Sequence, residues 1–311
     1  MTRIRVAAAQ AHPVWLDAAA TTNKILSLLE QAAANGVQLL AFPETFLPGY
    51  PYWVMLGGVD RFNDQPAKAA YAAYVDAAVN LDGLELKQIT AVVRDLGVFV
   101  YLGIAERAGT SVYATLVAID PERGVVSAHR KLMPTYGERT VWAVGDGHGL
   151  RVHDVGGMLV GGLNCWENWM PLARHALYAA GEELHVAAWP GSAAMTADIA
   201  RLIALEGRVW VLLASGLLAA DDVPSEFPYY QLIANKPAGF YNGGSCIAAP
   251  DGTWAVAPTA DEERLLIADV DRDAVRRARQ TFDPAGHYSR HDVFDVRVNR
   301  RRLGAVAFLD D

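Results

Sequence analysis

Short apolar runs with strand character recur along this chain between stretches of helical periodicity, which restricts it to folds that layer helices on sheets. Residues 4–9 are β-branched and Ala-rich and read as a first strand. Ile25, Leu28, Leu29 and Ala32 then fall at i, i+3, i+4 and i+7, predicting a helix over 19–35 that Asn35-Gly36 ends. Residues 37–42 are apolar except Gln38 and read as a fully buried strand. Helices over 67–79 and 84–96 follow, then strands over 98–105, 111–119 and 125–129. Pro121-Glu122-Arg123-Gly124 turns between the last two. Residues 150–155 and 158–163 form a hairpin over Gly156-Gly157. Beyond it come a helix over 170–180 with Pro171 in its first turn, a strand over 184–189, a helix over 196–207 and a strand over 209–214. A long loop over 221–239 precedes strands over 244–249, 253–257 and 264–269 and a helix over 271–279. The tight turns between strands argue against a purely parallel sheet. With no repeat, low-complexity tract or linker, residues 1–311 read as a single α/β domain.

Composition narrows the function classes. The chain is 52% hydrophobic and 20% charged, which is globular and not disordered. A net charge of -8 carries no nucleic-acid footprint, and the one basic cluster, Arg300 to Arg302, reads as a solvated tail. The longest apolar stretch, 209–220, is interrupted by Ser215 and Gly216 and falls short of the roughly 20 residues of a membrane span. No secretory leader pattern opens the chain, so a soluble cytoplasmic protein is expected. The two cysteines, Cys165 and Cys246, make no Cys-x-x-Cys metal pairing; each is either a buried structural residue or a reactive thiol.

Three polar groups stand just past apolar strands, where a rigid scaffold holds functional loops: Glu44, Lys131 and Cys165. A charged group directly after a buried strand is costly to desolvate and should have a partner. Cys165 lies in Gly161-Gly162-Leu163-Asn164-Cys165-Trp166-Glu167, a strand–turn–helix layout in which a helix N-terminus would favour a thiolate. A free thiol is mostly protonated at neutral pH and needs a base. Glu44 in an apolar pocket could supply one, and Lys131 could stabilise developing negative charge. Taken singly, Glu44 reads more readily as a helix cap or surface carboxylate and Lys131 as a solvated cation. Spacing alone leaves a Cys–His pair open, with His129, His175 or His287 as partner, but no His-Glu-x-x-His metal motif, phosphate loop or dinucleotide fingerprint occurs.

Together these residues resemble the nitrilase superfamily, and within it the true nitrilases, over nearly the whole chain. Phe42-Pro43-Glu44-Thr45-Phe46 with Pro48-Gly49-Tyr50-Pro51 is similar to the family's glutamate segment. His129-Arg130-Lys131-Leu132 with Pro134-Thr135 resembles its lysine segment, and Asn164-Cys165-Trp166-Glu167-Asn168 with Met170-Pro171-Leu172 its nucleophile segment. Ala188-Trp189-Pro190-Gly191 and Gly286-His287-Tyr288-Ser289-Arg290 also match nitrilase patterns. The resemblance implies an α+β fold, a four-layer α-β-β-α sandwich with two mixed β-sheets. It implies attack of Cys165 on a nitrile carbon, Glu44 as general base and acid, Lys131 stabilising intermediates, and Glu138 supporting the lysine. It also implies a small-molecule nitrile substrate, no metal or organic cofactor, no nucleic-acid or membrane partner, and a homodimer or larger homo-oligomer. Tyr50, Trp53, Trp142, Trp166 and Trp189 are the candidate aromatic pocket, with the Trp166 backbone N–H a candidate oxyanion donor.

The sequence departs from the family pattern at His291, where proline is common, at Ala143, where glycine is common, and in a short tail after Arg290. The last argues against the long spiral assemblies of some relatives. An amidase or cyanide-hydrolysing enzyme would use the same triad, and a non-catalytic binding protein would have no reason to keep it; Cys165-Trp166-Glu167-Asn168 is the nitrilase-like form.

Overall fold

The computed structural model describes residues 2–59, 61–236 and 241–304. Strand β1 (Arg3–Gln10) leads to helix α1 (Ala18–Ala34), whose start Asp17 caps by accepting a hydrogen bond from Ala20 N. The buried stripe of α1 includes Ile25, Leu29 and Ala32, as the periodicity requires. Next come β2 (Leu39–Ala41), α2 (Gln65–Ala77), α3 (Leu84–Leu96), β3 (Phe99–Ala108), β4 (Ser111–Asp120) and β5 (Gly124–Arg130). The second half runs β6 (His153–Val155), β7 (Met158–Asn164), α4 (Pro171–Ala179), β8 (Leu184–Trp189), α5 (Ala193–Gly207) and β9 (Trp210–Ser215). A small ribbon of β10 (Leu217–Leu218) and β11 (Tyr241–Asn242) brackets α6 (Tyr230–Ala234). β12 (Cys246–Ala248), β13 (Trp254–Val256), β14 (Arg264–Asp271) and α7 (Arg272–Arg279) complete the elements.

These strands build two six-stranded mixed sheets. The first has the order β14-β1-β2-β3-β4-β5, with β1, β2 and β3 parallel; the second has β13-β12-β9-β8-β7-β6, with β7, β8 and β9 parallel. The period-2 alternation of each strand divides its side chains between two apolar layers. Val6, Ala8, Leu39, Ala41, Tyr101 and Leu116 of the first sheet meet Val160, Leu184, Val186, Leu212 and Ile247 of the second in a shared core. The opposite face of the first sheet, including Ala7, Leu40, Val100 and Leu102, packs on Ile25 and Leu29 of α1 and Ile89 and Val93 of α3. The opposite face of the second, including Ala187, Val211, Leu213 and Cys246, packs on Ile199, Ile203 and Ala204 of α5. The result is the expected four-layer α-β-β-α sandwich. The β6–β7 hairpin turns through Gly156 and Gly157, both at positive φ (57° and 88°), as a tight two-residue connection requires.

The strand–turn–helix layout expected around Cys165 is present: residues Cys165–Trp169 form a 3-10 turn, and α4 starts at Pro171. Two expectations change. The loop expected over 221–239 contains α6, with 237–239 outside the described residues. The basic cluster is not a freely solvated tail. Arg302 lies 3.2 Å from Asp146 Oδ1, and Leu303 N donates to Asp146 Oδ2, which fastens the segment beside β5.

Candidate active site

Glu44, Lys131 and Cys165 converge from both sheets. Glu44 follows β2, Lys131 follows β5 directly, and Cys165 follows β7 directly. Two glycines let the loops approach. A Cβ at Gly103 of β3 would stand 2.1 Å from Pro43 O, and one at Gly145 would stand 2.1 Å from Arg130 O and 2.5 Å from Lys131 O. Glu44 N donates to Trp189 O at the end of β8, across the sandwich, at 3.3 Å. Thr45, Tyr136, Cys165 and Ser192 all take the left-handed conformation, with φ of 42°, 46°, 46° and 81°. Such backbone costs of order 1–3 kcal/mol per residue and persists where surrounding structure over-determines it.

The cluster is dry. The side chains of Glu44, Lys131 and Glu138 are at most 1% exposed, and Cys165 is 3% exposed. Lys131 Nζ lies 2.7 Å from Glu138 Oε2 as a hydrogen bond, and 2.8 Å from Glu44 Oε1 as an ion pair outside hydrogen-bond alignment, so neither Glu44 oxygen has a hydrogen-bond partner among the described residues. Carboxylate oxygens of Glu44 and Glu138 and the thiol of Cys165 lie within 4.8 Å of one another. That spacing would suit a metal ion, but the Lys131 ammonium already supplies the cation between the carboxylates. Glu138 does not serve Arg139, whose Nε donates to Pro134 O. Its carboxylate accepts from Lys131, Tyr50 Oη (2.6 Å) and Thr135 N (2.5 Å).

Burial sets the protonation chemistry. It pushes Glu44 up to about 8, against the pull of Lys131 and with the help of the Glu138 charge. Burial likewise pushes the Cys165 thiol well above its ordinary value, while Lys131 and a hydrogen bond from the Trp166 backbone N–H act the other way. The thiol is therefore held protonated, contrary to the thiolate that a helix N-terminus would have favoured. Burial opposes the charge on Lys131, but Glu44, Cys165 and Glu138 outweigh it and raise its pKa. A protonated thiol beside a carboxyl poised near neutrality and a fixed ammonium can deliver a nucleophile, shuttle its proton and stabilise developing negative charge. The histidines left open by spacing are placed elsewhere. His129 is bound to Glu167, His287 is exposed 4.0 Å from Asp283, and His175 lies on α4.

The Carbon-nitrogen hydrolase family pattern matches residues 5–280. The chain belongs to the carbon-nitrogen hydrolase family. An aliphatic nitrilase of Rhodococcus rhodochrous is 37% identical over 318 residues, covering 97% of this chain and 84% of the relative. Nitrilase 2 of an unknown prokaryotic organism is 38% identical over 311 residues, covering 99% and 96%. The crystal structure of a CN-hydrolase superfamily protein of Xanthomonas campestris has the same fold, with a TM-score of 0.69 at 19% identity, covering 91% of this chain and 96% of that one.

On this carbon-nitrogen hydrolase scaffold the aromatic candidates separate. Tyr50 touches the cluster through Glu138 and meets Trp142 edge-on at 5.5 Å; Lys131 Nζ lies 5.4 Å from the Trp142 ring centre. Trp189 is buried and 6.4 Å from Trp166, which is 40% exposed and also neighbours Trp169. Trp53 packs instead against Trp15, Tyr74 and Phe227. Sequence reading passed over Tyr52 and Tyr241, whose rings meet at 4.1 Å. Tyr241 lies 6.1 Å from Tyr50 and feels the charges of Cys165 and Glu138. Both line a cavity of about 440 Å³ with Leu56, Leu217, Leu218 and Ile233. A larger cavity, about 790 Å³, lies between α4 and residues 282–300 and includes none of the cluster.

Proposed function

We propose that this protein is a nitrilase, hydrolysing an organic nitrile and two waters to a carboxylic acid and ammonia. The observation that carries this reading is the buried convergence of the Cys165 thiol, the Glu44 carboxyl and the Lys131 ammonium. The nitrilases at 37% and 38% identity over almost the full chain support it. Glu44 takes the thiol proton as Cys165 Sγ bonds to the nitrile carbon, and passes it to the nitrile nitrogen, giving a thioimidate. Water adds with Glu44 as base, and the tetrahedral adduct expels ammonia to leave a thioester. A second water, again activated by Glu44, releases the acid and restores the thiol. Lys131 faces the charge that develops at each addition, and Glu138 holds Lys131 in place. The Trp166 backbone N–H is a second donor beside the reacting sulfur. No step calls for a metal or organic cofactor.

The cavity behind Tyr52 and Tyr241 suits the organic group, being mainly apolar and one ring away from the Tyr50–Glu138 contact. Residues 1–311 are read as one carbon-nitrogen hydrolase domain, supported by the pattern match over 5–280. Among the described residues no helix is long and apolar enough to cross a membrane, and Cys165 and Cys246 are unpaired, which suits a soluble enzyme of the reducing cytoplasm. A homodimer or larger homo-oligomer is supported by exposed Trp166, Trp169, Met170 and Leu172 beside α4 and by Met195 and Leu202 on the adjacent α5.

Ammonia release from an aliphatic nitrile, a benzonitrile, an arylacetonitrile, cyanide and the matching amides tests the reading, with Cys165→Ala run alongside. Nitrile turnover abolished by the substitution is expected. Turnover confined to amides or cyanide, or retained by Cys165→Ala, would overturn it.

A further inference from the structure

Cys165 and Lys131 must keep their separation throughout the reaction, yet they stand on different sheets. Cys165 ends β7 of the second sheet and Lys131 ends β5 of the first. Their own side chains form no hydrogen bond or ion pair with each other among the described residues. What joins their backbones is the carboxylate of Glu167, whose side chain is fully buried. Its Oε2 accepts from Asn164 N, the residue before the nucleophile, at 2.9 Å. Its Oε1 accepts from Leu132 N, the residue after the lysine, at 2.7 Å. His129 Nε2, in β5, lies 2.9 Å from both oxygens.

We propose that Glu167 is a positioning residue that locks the nucleophile turn to the lysine strand across the two sheets, with His129 as its hydrogen-bond partner on the lysine strand. A cap for a 3-10 turn needs only the bond to Asn164, which any N3 carboxylate supplies. The bonds to Leu132 and His129 reach the other sheet and serve no local turn. A buried carboxylate persists only if it is fully partnered, and His129 and the two N–H groups hold Glu167 below the ordinary carboxylate range despite its burial. It is therefore ionised and accepts only, which fixes the proton of His129 on Nε2. The left-handed backbone of Cys165, at φ 46°, is held from both sides: by Glu167 on the preceding N–H, and by Asn168, whose Nδ2 donates to Cys165 O at 2.9 Å.

The test depends on the proposed roles of Cys165 and Lys131, so Cys165→Ala is measured beside it. If that variant keeps activity, the nucleophile assignment falls, whatever Glu167 does. Glu167→Asp keeps the charge and the short reach to Asn164 but loses a methylene and with it Leu132. Glu167→Gln has one acceptor oxygen for two N–H groups on opposite sides. For both, kcat on a nitrile is expected to fall about 10²-fold, the cost of displacing reacting groups by about 1 Å, with KM within about threefold. The second readout is the pH dependence of Cys165 alkylation by iodoacetamide, measured in a Cys246→Ala background. Lys131 favours the thiolate, whereas Glu44 and Glu138 oppose it, and Tyr50 and Tyr241 also face the sulfur. Releasing Lys131 moves the profile to higher pH; merely deleting a nearby negative charge would move it lower. Wild-type kcat in Glu167→Asp, or an unmoved or lowered alkylation profile in both variants, would overturn the proposal. Should Glu167→Gln fail to fold, Glu167→Asp decides by itself.

Discussion

Replacing Glu138 with glutamine removes one charge from the cluster without removing its bonds. The amide oxygen can face Lys131 Nζ and Thr135 N, which both now donate to Oε2, while the amide NH₂ faces Tyr50 Oη, which turns from donor to acceptor. The fold should therefore survive, and the electrostatic consequence can be worked out. Glu138 and Glu44 have carboxylate oxygens within 4.8 Å. At an effective dielectric of about 20, two unit charges at that distance repel by about 3.5 kcal/mol, or roughly 2.5 pKa units. That repulsion is part of what holds Glu44 up near 8, after burial itself. Removing it, and leaving Lys131 with Glu44 as its sole anionic carboxylate partner, moves Glu44 down on both counts. A general base works when deprotonated, so the acidic limb of kcat/KM should move to lower pH by at least about one unit, while kcat falls about 10- to 10²-fold as Lys131 loses its anchor. The limb belongs to the coupled cluster, so it is read as an apparent value. The assay is ammonia release from a fixed nitrile at pH 5 to 10, in wild type and Glu138→Gln, with thermal unfolding as the folding control. An acidic limb that stays put or moves up would refute this account of how Glu44 is tuned.

Two further outcomes follow from the same geometry. Gly103→Ala forces a Cβ against Pro43 O and Thr45 N, 2.1 and 2.5 Å from its ideal position, so the Glu44 loop must move; activity should fall at least tenfold with a stability loss of about 1–3 kcal/mol, read by kinetics and by denaturant unfolding. Cys246→Ala should leave kcat within about twofold, because that thiol is buried in the apolar layer under α5, and the folded variant should keep a single alkylatable thiol, counted by intact mass.

Much of the framework was legible because its signals are local. The 3.6-residue stripe of α1, the Gly156-Gly157 hairpin and the apolar runs of β2, β7 and β8 each need only a few neighbouring residues to be read. The positions of Glu44, Lys131 and Cys165 just past strands were legible for the same reason, and their family resemblance supplied what the individual residues left ambiguous. The rest depends on contacts between segments distant in sequence. Glu167 looks like an ordinary capping glutamate until β5 and β7 are placed in facing sheets. Tyr241 joins the wall near Tyr50 only because the β10–β11 ribbon folds back. Arg302 reads as a solvated charge because its partner, Asp146, lies far upstream.

The central claim, that Cys165 Sγ carries the substrate's carbon during turnover, is tested most directly by acid-quenching the enzyme during steady-state nitrile hydrolysis and mapping the peptides by mass spectrometry. The account predicts an acyl or imidoyl adduct on the peptide containing Cys165, present in wild type and absent in Cys165→Ala, which releases no ammonia. An adduct on another residue, or continued ammonia release by Cys165→Ala, would contradict it.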